Sequence, residues 1–275
     1  MDVLQAIILG LVQGLTEFLP ISSTAHLRAV PALVGWPDPG AAFSAVVQLG
    51  TLLAVLVYFF SDLVGIARAW IIGVFKKKPF DDAKARMGWI IIIGTLPIGV
   101  AGLVFQETIE TTLRSLWVVA AALIGFAAVM GLAEAVCSRR RTSEQVDWLD
   151  GAIIGLAQAL ALIPGASRSG VTITAGLFVG LTRTEAARFS FLLSVPAVAA
   201  SGLFEAIKLA RGELGPVCWS SVLIATLAAA VSGYLAIAGL ISFLKRRSTL
   251  VFIVYRVLVG GSIMVLLAAG LLSAH

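Results

Sequence analysis

VQGLTEFLPISSTAHLR, residues 12–28, puts a carboxylate (Glu17), hydroxyls (Ser22, Ser23, Thr24), an imidazole (His26) and a guanidinium (Arg28) inside an apolar run covering residues 3–34. Hydrocarbon does not accommodate such groups without partners or a purpose. The run breaks at Pro20-Ile21-Ser22-Ser23. Its limbs are too short to cross a bilayer: Leu4 to Leu19 rises about 24 Å as a helix, against a core of about 30 Å. A second run, 149–180, breaks in the same way at PGASRSG, residues 164–170. Two short apolar segments interrupted at matching places predict a pair of re-entrant hairpins, at 3–34 and 149–180.

The rest of the chain agrees with a membrane setting. Of its 275 residues, 59% are hydrophobic and 13% charged, and the mean hydropathy is +1.01. A soluble domain carries about 25% charged residues. The net charge of +5 comes from short clusters between apolar runs: Lys76-Lys77-Lys78, Arg139-Arg140-Arg141 and Lys245-Arg246-Arg247. That is the pattern of cytoplasmic loops, and no nucleic-acid partner is expected. Met1-Asp2 leads straight into apolar residues without a basic region, so the first segment is expected to be retained rather than cleaved. Cys137 and Cys218 are expected on opposite membrane faces, as inert packing without a disulfide.

Six further runs are long enough to span, near 43–60, 89–105, 115–137, 189–207, 217–243 and 250–272. Asp2, Leu4, Ile8, Gly10, Leu11 and Gln13 recur 145 positions on as Asp147, Leu149, Ile153, Gly155, Leu156 and Gln158. The breaks align as Pro20-x-x-Ser23 and Pro164-x-x-Ser167 after a one-residue slip, and Phe-Ser recurs at 43–44 and 189–190. The chain therefore reads as an all-α polytopic membrane protein with an inverted-topology repeat: six transmembrane helices plus two re-entrant helical hairpins. The first repeat is 1–137 and the second 147–275. Three spans per repeat is an odd number, so the second copy is inverted. With 61–88, 138–147, 181–188 and 244–249 as inner loops, 14 of the 20 Lys and Arg fall inside, in keeping with the positive-inside rule. Both termini are then outside, and the hairpin tips meet near the midplane.

Gln13 and Glu17, four apart, share a helical face. Ser22 and Thr24 suit helix capping as well as substrate contact, and His26 lies one turn beyond Ser23, a spacing that suits nucleophile and base. In the second break Gly165 and Gly170 admit close backbone approach, Ser167 and Ser169 offer hydroxyls, and the following helix, with Thr172, points amides at the break. Arg168 adds a planar fork suited to phosphate, or else a partner for Glu17. One cavity at the joined tips would hold Gln13, Glu17, Ser22, Ser23, His26, Ser167, Arg168 and Ser169. A lone carboxylate beside an anion loop suggests a bridging divalent cation and a phosphate-bearing substrate.

QGLTEFLPISSTAHL and PGASRSG resemble the two signature motifs of the undecaprenyl-diphosphatase family, the bacitracin-resistance proteins, and the likeness runs over essentially the whole chain. The resemblance implies hydrolysis of undecaprenyl diphosphate to undecaprenyl phosphate, recycling a carrier lipid for cell-wall polymers. It implies a bacterial inner membrane location, a site opening to the periplasmic face, and Mg²⁺ or Ca²⁺. By motif, Glu17 and Gln13 resemble the metal-linked pair, Ser23 the nucleophilic or phosphate-contacting serine, His26 the acid/base and Arg168 the diphosphate-binding arginine. Two positions depart from the pattern: Ala25 stands where Gly is common, and Gln13 removes one anionic ligand.

Direct attack by water remains open beside attack by Ser23. A polyprenyl-phosphate flippase is the class-level rival, since transporters use inverted repeats with broken helices. An intramembrane serine hydrolase would leave Arg168 idle. A homo-oligomer is left open. Glu134 and Glu205 read as span-end carboxylates, Arg256 as a residue that snorkels or pairs, and Arg28 as either a mouth contact or an interfacial anchor. Trp70, Trp89, Trp117, Trp148 and Trp219 read as an aromatic belt.

Overall fold

The computed structural model describes residues 1–211 and 219–273; Cys218 and the first residues of the span expected at 217–243 lie outside them. Twelve α-helices follow in order among the described residues: α1 (Val3–Phe18), α2 (Ser23–Val34), α3 (Gly40–Tyr58), α4 (Phe60–Phe75), α5 (Ala83–Val104), α6 (Gln106–Glu110), α7 (Leu116–Val136), α8 (Trp148–Ala159), α9 (Arg168–Phe178), α10 (Arg183–Ala210), α11 (Trp219–Leu244) and α12 (Leu250–Ala268). The chain is an all-helical polytopic membrane protein. Helices α5, α7, α10, α11 and α12 are each long and apolar enough to span, and α3 with α4 joins them only if that bent pair is one span.

Local sequence explains where the interrupted helices start and stop. Asp2 and Gln5 form a capping box at the head of α1, and Asp147 and Asp150 form one at the head of α8. Each box satisfies backbone amides that a helix start would otherwise leave bare. After the breaks, Ser22 caps α2 by accepting from the Ala25 amide at 3.3 Å, and Ser167 caps α9 by accepting from the Gly170 amide at 3.1 Å. These two serines adopt nearly the same unusual backbone, φ 73° and 71°, a region where a non-glycine residue carries about 1–3 kcal/mol of strain. Ser22, not Ser23, shares the cap role and backbone of Ser167, so these caps stand 145 residues apart without the expected slip, and Ser23 and Arg168 are the first helical residues after them.

The 61–88 region is a loop only at 76–82, between α4 and α5. Residues 60–75 carry only Asp62 and Arg68 as charges, so the helix resumes after a break at Phe59 and runs as α4, bent 80° from α3. Lys76, Lys77 and Lys78 lie beyond its end. Arg188 of α10 donates to Asp62 at 2.5 Å and ties α4 down.

The main core lies under the first break. Phe18 meets Phe191 edge-on at 5.2 Å, and Phe59 packs on the same ring at 6.2 Å; all three are buried. Along α11, Ala225, Ala229 and Ala236 are buried, and these small side chains let α1 and α3 approach closely, as membrane helices do in place of hydrophobic driving force. Many other large apolar side chains point outward: Leu149 is 69% and Phe75 83% exposed, as expected of surfaces solvated by lipid. Trp70, Trp89, Phe80 and Trp148 form a chain of ring contacts near the ends of α4, α5 and α8.

Candidate active site

Glu17 is the hub. It is the penultimate residue of α1, held in place because Phe18 beside it is locked in the core. Its Oε2 accepts from Gln13 Nε2 at 2.6 Å and from Ser23 Oγ at 2.7 Å, while its Oε1 accepts from Arg168 of α9. Both oxygens of the carboxylate are engaged, as a nearly buried charge in a low-dielectric setting requires. Gln13 is fully buried, and with its amide nitrogen on Glu17 its Oε1 has no partner among the described residues. Gln158, 145 positions on, is also fully buried, with an Oε1 unpartnered among the same residues.

The two breaks are stitched together. Besides Arg168 on Glu17, Ser169 Oγ donates to the Leu19 carbonyl at 3.1 Å, and the Gly165 amide to Thr24 Oγ1 at 3.4 Å. Thr24 Oγ1 also meets Ser22 Oγ at 3.0 Å. Ser167 Oγ lies 3.2 Å from Ser169 Oγ. Thr172 sits behind this layer, with its hydroxyl 2.7 Å from the Arg168 carbonyl and 2.6 Å from Ser190 Oγ. The two glycines serve packing rather than ligand approach. A Cβ on Gly165 would fall 2.4 Å from the Val119 carbonyl oxygen, and one on Gly170 2.7 Å from Arg256 Nη1.

His26 does not face Ser23. Its Nδ1 is 2.7 Å from the Ser22 carbonyl, which only accepts, so Nδ1 carries the proton. Its Nε2 is then an acceptor for the Tyr255 hydroxyl at 2.6 Å, and the two rings stack at 5.7 Å. The one-turn spacing from Ser23 is real, but the ring nitrogens are bonded instead to the Ser22 carbonyl, which also accepts the His26 backbone amide at 3.3 Å, and to Tyr255.

A cavity of about 530 Å³ opens from this point, lined by Glu17, Ser22, Ser23, Thr24, Ser167 and Arg168 at its polar end. Gln13, His26, Gly165, Ser169, Gly170 and Thr172 do not line it. Its walls are largely apolar, with Leu27, Ile98, Leu103, Leu162 and Phe204, and polar groups from α3, α5 and α10 join them: Gln48, Thr95, Ser201 and Glu205. Glu205, read from sequence as a headgroup-facing carboxylate, faces this cavity and pairs with Lys208 at 3.2 Å. Nothing short-range marks those positions. They become visible only when α3, α5 and α10 are placed around the breaks.

Arg256 is the largest departure from the sequence reading. It neither snorkels nor pairs with a carboxylate; it is fully buried. Its Nε donates to the Leu123 carbonyl at 3.1 Å, Nη1 to Pro20 at 3.2 Å, and Nη2 to Gly165 and Ala166, both at 3.0 Å, and to Ala122 at 3.4 Å. Helix breaks leave carbonyls without amide partners, and in a membrane no water supplies one. A guanidinium, with five donors in a fixed plane, satisfies several at once. The available signal was an arginine alone in an apolar span, the kind of residue that reads as functional by default.

At the cavity mouth, Arg28 donates to Asp38 Oδ2 at 2.8 Å and Arg114 to the same oxygen at 2.5 Å. Burial alone pushes the Asp38 carboxyl up. The hydrogen bond from Arg114, the Gly40 amide and the charges of both arginines outweigh this and hold it below its ordinary value. At the opposite end, Glu134 gathers Arg139, Arg183 and Thr249. It is a structural knot rather than a loose span-end carboxylate.

For a divalent cation the fit is partial and specific. Among the described residues no three His, Cys, Asp or Glu side chains come together as a metal site. Glu17 as a single carboxylate, with the unspent Gln13 Oε1, suits a hard cation that takes its remaining oxygens from substrate phosphates and water.

The comparisons with known proteins agree on one family. The family model described as "Bacitracin resistance protein BacA" matches residues 6–262. A protein of Chlorobium phaeobacteroides named undecaprenyl-diphosphatase is 52% identical over 280 residues, covering 98% of this chain and 99% of its own. Proteins of the same name from Chloroherpeton thalassium (50% identical, all of both chains) and Myxococcus xanthus (52%, covering 99% of this chain and 92% of its own) are similar. With the match running nearly end to end, the chain belongs to the bacitracin resistance protein BacA family.

Proposed function

We propose that the chain is an integral-membrane phosphatase that hydrolyses undecaprenyl diphosphate to undecaprenyl phosphate and inorganic phosphate, recycling a carrier lipid in the bacterial inner membrane. The observation that carries this is the Ser23–Glu17–Arg168 constellation at the end of an apolar-walled cavity: nucleophile, base and phosphate fork meet where a prenyl chain can lie. A flippase would need the cavity and the arginine but not a serine bonded to a carboxylate, and the similar relatives carry the diphosphatase name.

Arg168 leaves Glu17 for the incoming diphosphate and binds its oxygens in a two-pronged grip. Glu17, released from the ion pair, accepts the Ser23 Oγ proton as that oxygen attacks the terminal phosphorus. The P–O bond to the lipid-linked phosphate breaks, and undecaprenyl phosphate departs with the proton that Glu17 hands to its new phosphate oxygen. Water then attacks the phosphoserine phosphorus: Glu17 takes one of its protons and passes it to the Ser23 oxygen as the P–O bond to Ser23 breaks, and inorganic phosphate leaves with the other. The base in this account is Glu17, because both nitrogens of His26 are engaged elsewhere. Mg²⁺ or Ca²⁺, held by Glu17 and Gln13 together with substrate oxygens, would neutralise charge developing on the phosphates.

In this reading α1–α2 and α8–α9 are the two re-entrant hairpins of the inverted repeat, and the site opens outward. Support comes from the short apolar helices Val3–Phe18 and Trp148–Leu162, the paired capping boxes, and the lysine and arginine bias toward one set of loops. The test is phosphate release from undecaprenyl diphosphate by purified protein, with Mg²⁺ and with EDTA, beside Arg168→Ala. Release that is stimulated by metal and lost on substitution is the expected result; no release from folded protein that still binds the lipid would return the question to transport.

A further inference from the structure

Beyond the inner cavity lies a second one, of about 760 Å³, lined by Arg28, Asp38, Thr111, Thr112, Arg114 and Ser115. Arg28, Asp38 and Arg114 also line the inner cavity, so this triad is the wall the two share. Two guanidiniums on one carboxylate leave one net positive charge at the neck. Asp38, held below its ordinary carboxyl range, stays ionised and keeps both arginines in place. The Arg28 Nε–H is buried without an acceptor among the described residues, and Thr111, Thr112 and Ser115 of the α6–α7 connection line the same space, the Thr111 hydroxyl donating to the Glu107 carbonyl at 2.7 Å. The arrangement parallels the inner site, where Glu17 holds Arg168 until an anion takes it over.

We propose that Arg28 and Arg114 form a second phosphate-binding station at this neck, taking a phosphate-type oxyanion in transit between the inner site and the outer cavity. The station itself follows from the charges and donors. The identity of its natural ligand, either released inorganic phosphate or the headgroup of the lipid monophosphate, rests on the hydrolase reading above. Guanidinium forks beside hydroxyls are a recurrent means of holding tetrahedral oxyanions.

The test titrates inorganic phosphate, followed by ³¹P line broadening, into full-length detergent-purified protein carrying Arg168→Ala, which silences the inner arginine. Arg114→Gln in that background weakens phosphate binding about tenfold, the loss of a charge-assisted hydrogen bond. Asp38→Asn moves affinity the opposite way, tightening it, because both arginines lose their competing carboxylate; Arg114→Lys recovers part of the loss. A purely structural triad would give weaker binding for both Arg114→Gln and Asp38→Asn, and that result, or no response to either, overturns the station. Repeating the titration with a short-chain prenyl monophosphate as competitor separates the sources: displacement well below the inorganic phosphate concentration assigns the station to the lipid headgroup, and no displacement assigns it to released phosphate. Diphosphate turnover by protein with Arg168 intact is measured in parallel. Turnover with no phosphate held at the neck sinks the station alone, and phosphate held there without turnover sinks the hydrolase reading alone.

Discussion

Arg168, the first residue of α9, donates to Oε1 of Glu17, the penultimate residue of α1, across 151 positions of sequence. The contact occupies the arginine and one carboxylate oxygen together. On the proposed mechanism, binding substrate and freeing the base would be the same event, because an anion that wins Arg168 releases Glu17.

Removing either partner should therefore have unequal effects on folding and activity. Arg168→Ala leaves Glu17 charged, buried and short of a donor, a loss of about 3–5 kcal/mol for a broken buried pair. It should also lower kcat/KM by about 10²–10³-fold, the usual effect of deleting one transition-state donor. Arg168→Lys should not restore activity, because an ammonium cannot reproduce the two-pronged grip. Phosphate release and a detergent melting curve on the same preparations check both parts.

Ser23→Ala should abolish turnover, and His26→Gln should not match it. If His26 were the base for Ser23, the two substitutions would lower kcat equally. With Glu17 as base, His26→Gln loses the hydrogen bonds to Ser22 and Tyr255, and most of its effect appears in stability. Tyr255→Phe removes only the outer of these bonds; it should lower stability by roughly 1 kcal/mol with kcat nearly unchanged. Steady-state kinetics of the three variants decides the matter.

Arg256→Met should damage both breaks at once. The carbonyls of Pro20, Gly165 and Ala166 lose their donor, and unsatisfied buried acceptors are worth about 1–3 kcal/mol each. The expected outcome is a low yield of folded protein and a lower melting temperature, with amide exchange raised near both 20–25 and 164–170. Arg256→Lys should rescue only in part, since one ammonium cannot reach acceptors on three segments.

The mouth should respond to acid. Asp38 has a carboxyl held below its ordinary value in the fold, so its contribution is fully present above the unfolded value of about 4 and is lost as pH falls through the lower folded value. Melting temperatures taken from pH 7 down to pH 3 should fall through that acidic window. Asp38→Asn should be less stable at pH 7 and should flatten that part of the curve.

Much of this was legible along the chain, for physical reasons. An apolar helix announces itself by composition, which is why α5, α7, α10, α11 and α12 sit where hydropathy puts them. A break announces itself by Pro, Gly and Ser in a run that should have none. In 61–88 the lysines at 76–78 carry the loop signal, while the apolar residues before them, with only Asp62 and Arg68 charged, form α4. Helical spacing puts His26 within reach of Ser23 and the family motif gives it an acid/base role, yet spacing sets only which residues are near; the ring's hydrogen-bond partners are the Ser22 carbonyl and Tyr255.

By itself, then, the sequence determined an all-helical membrane chain, two polar interruptions and the motifs that mark its family, because these depend on local composition and short-range order. Only the tertiary structure decided that Arg168 meets Glu17, that Arg256 joins the carbonyls of both breaks, and that Arg28 and Arg114 converge on Asp38. Those contacts link residues from 10 to 236 positions apart. They are selected by the need of each buried charge and each freed carbonyl to find a partner where water cannot serve, a demand that acts through space and leaves little trace along the chain.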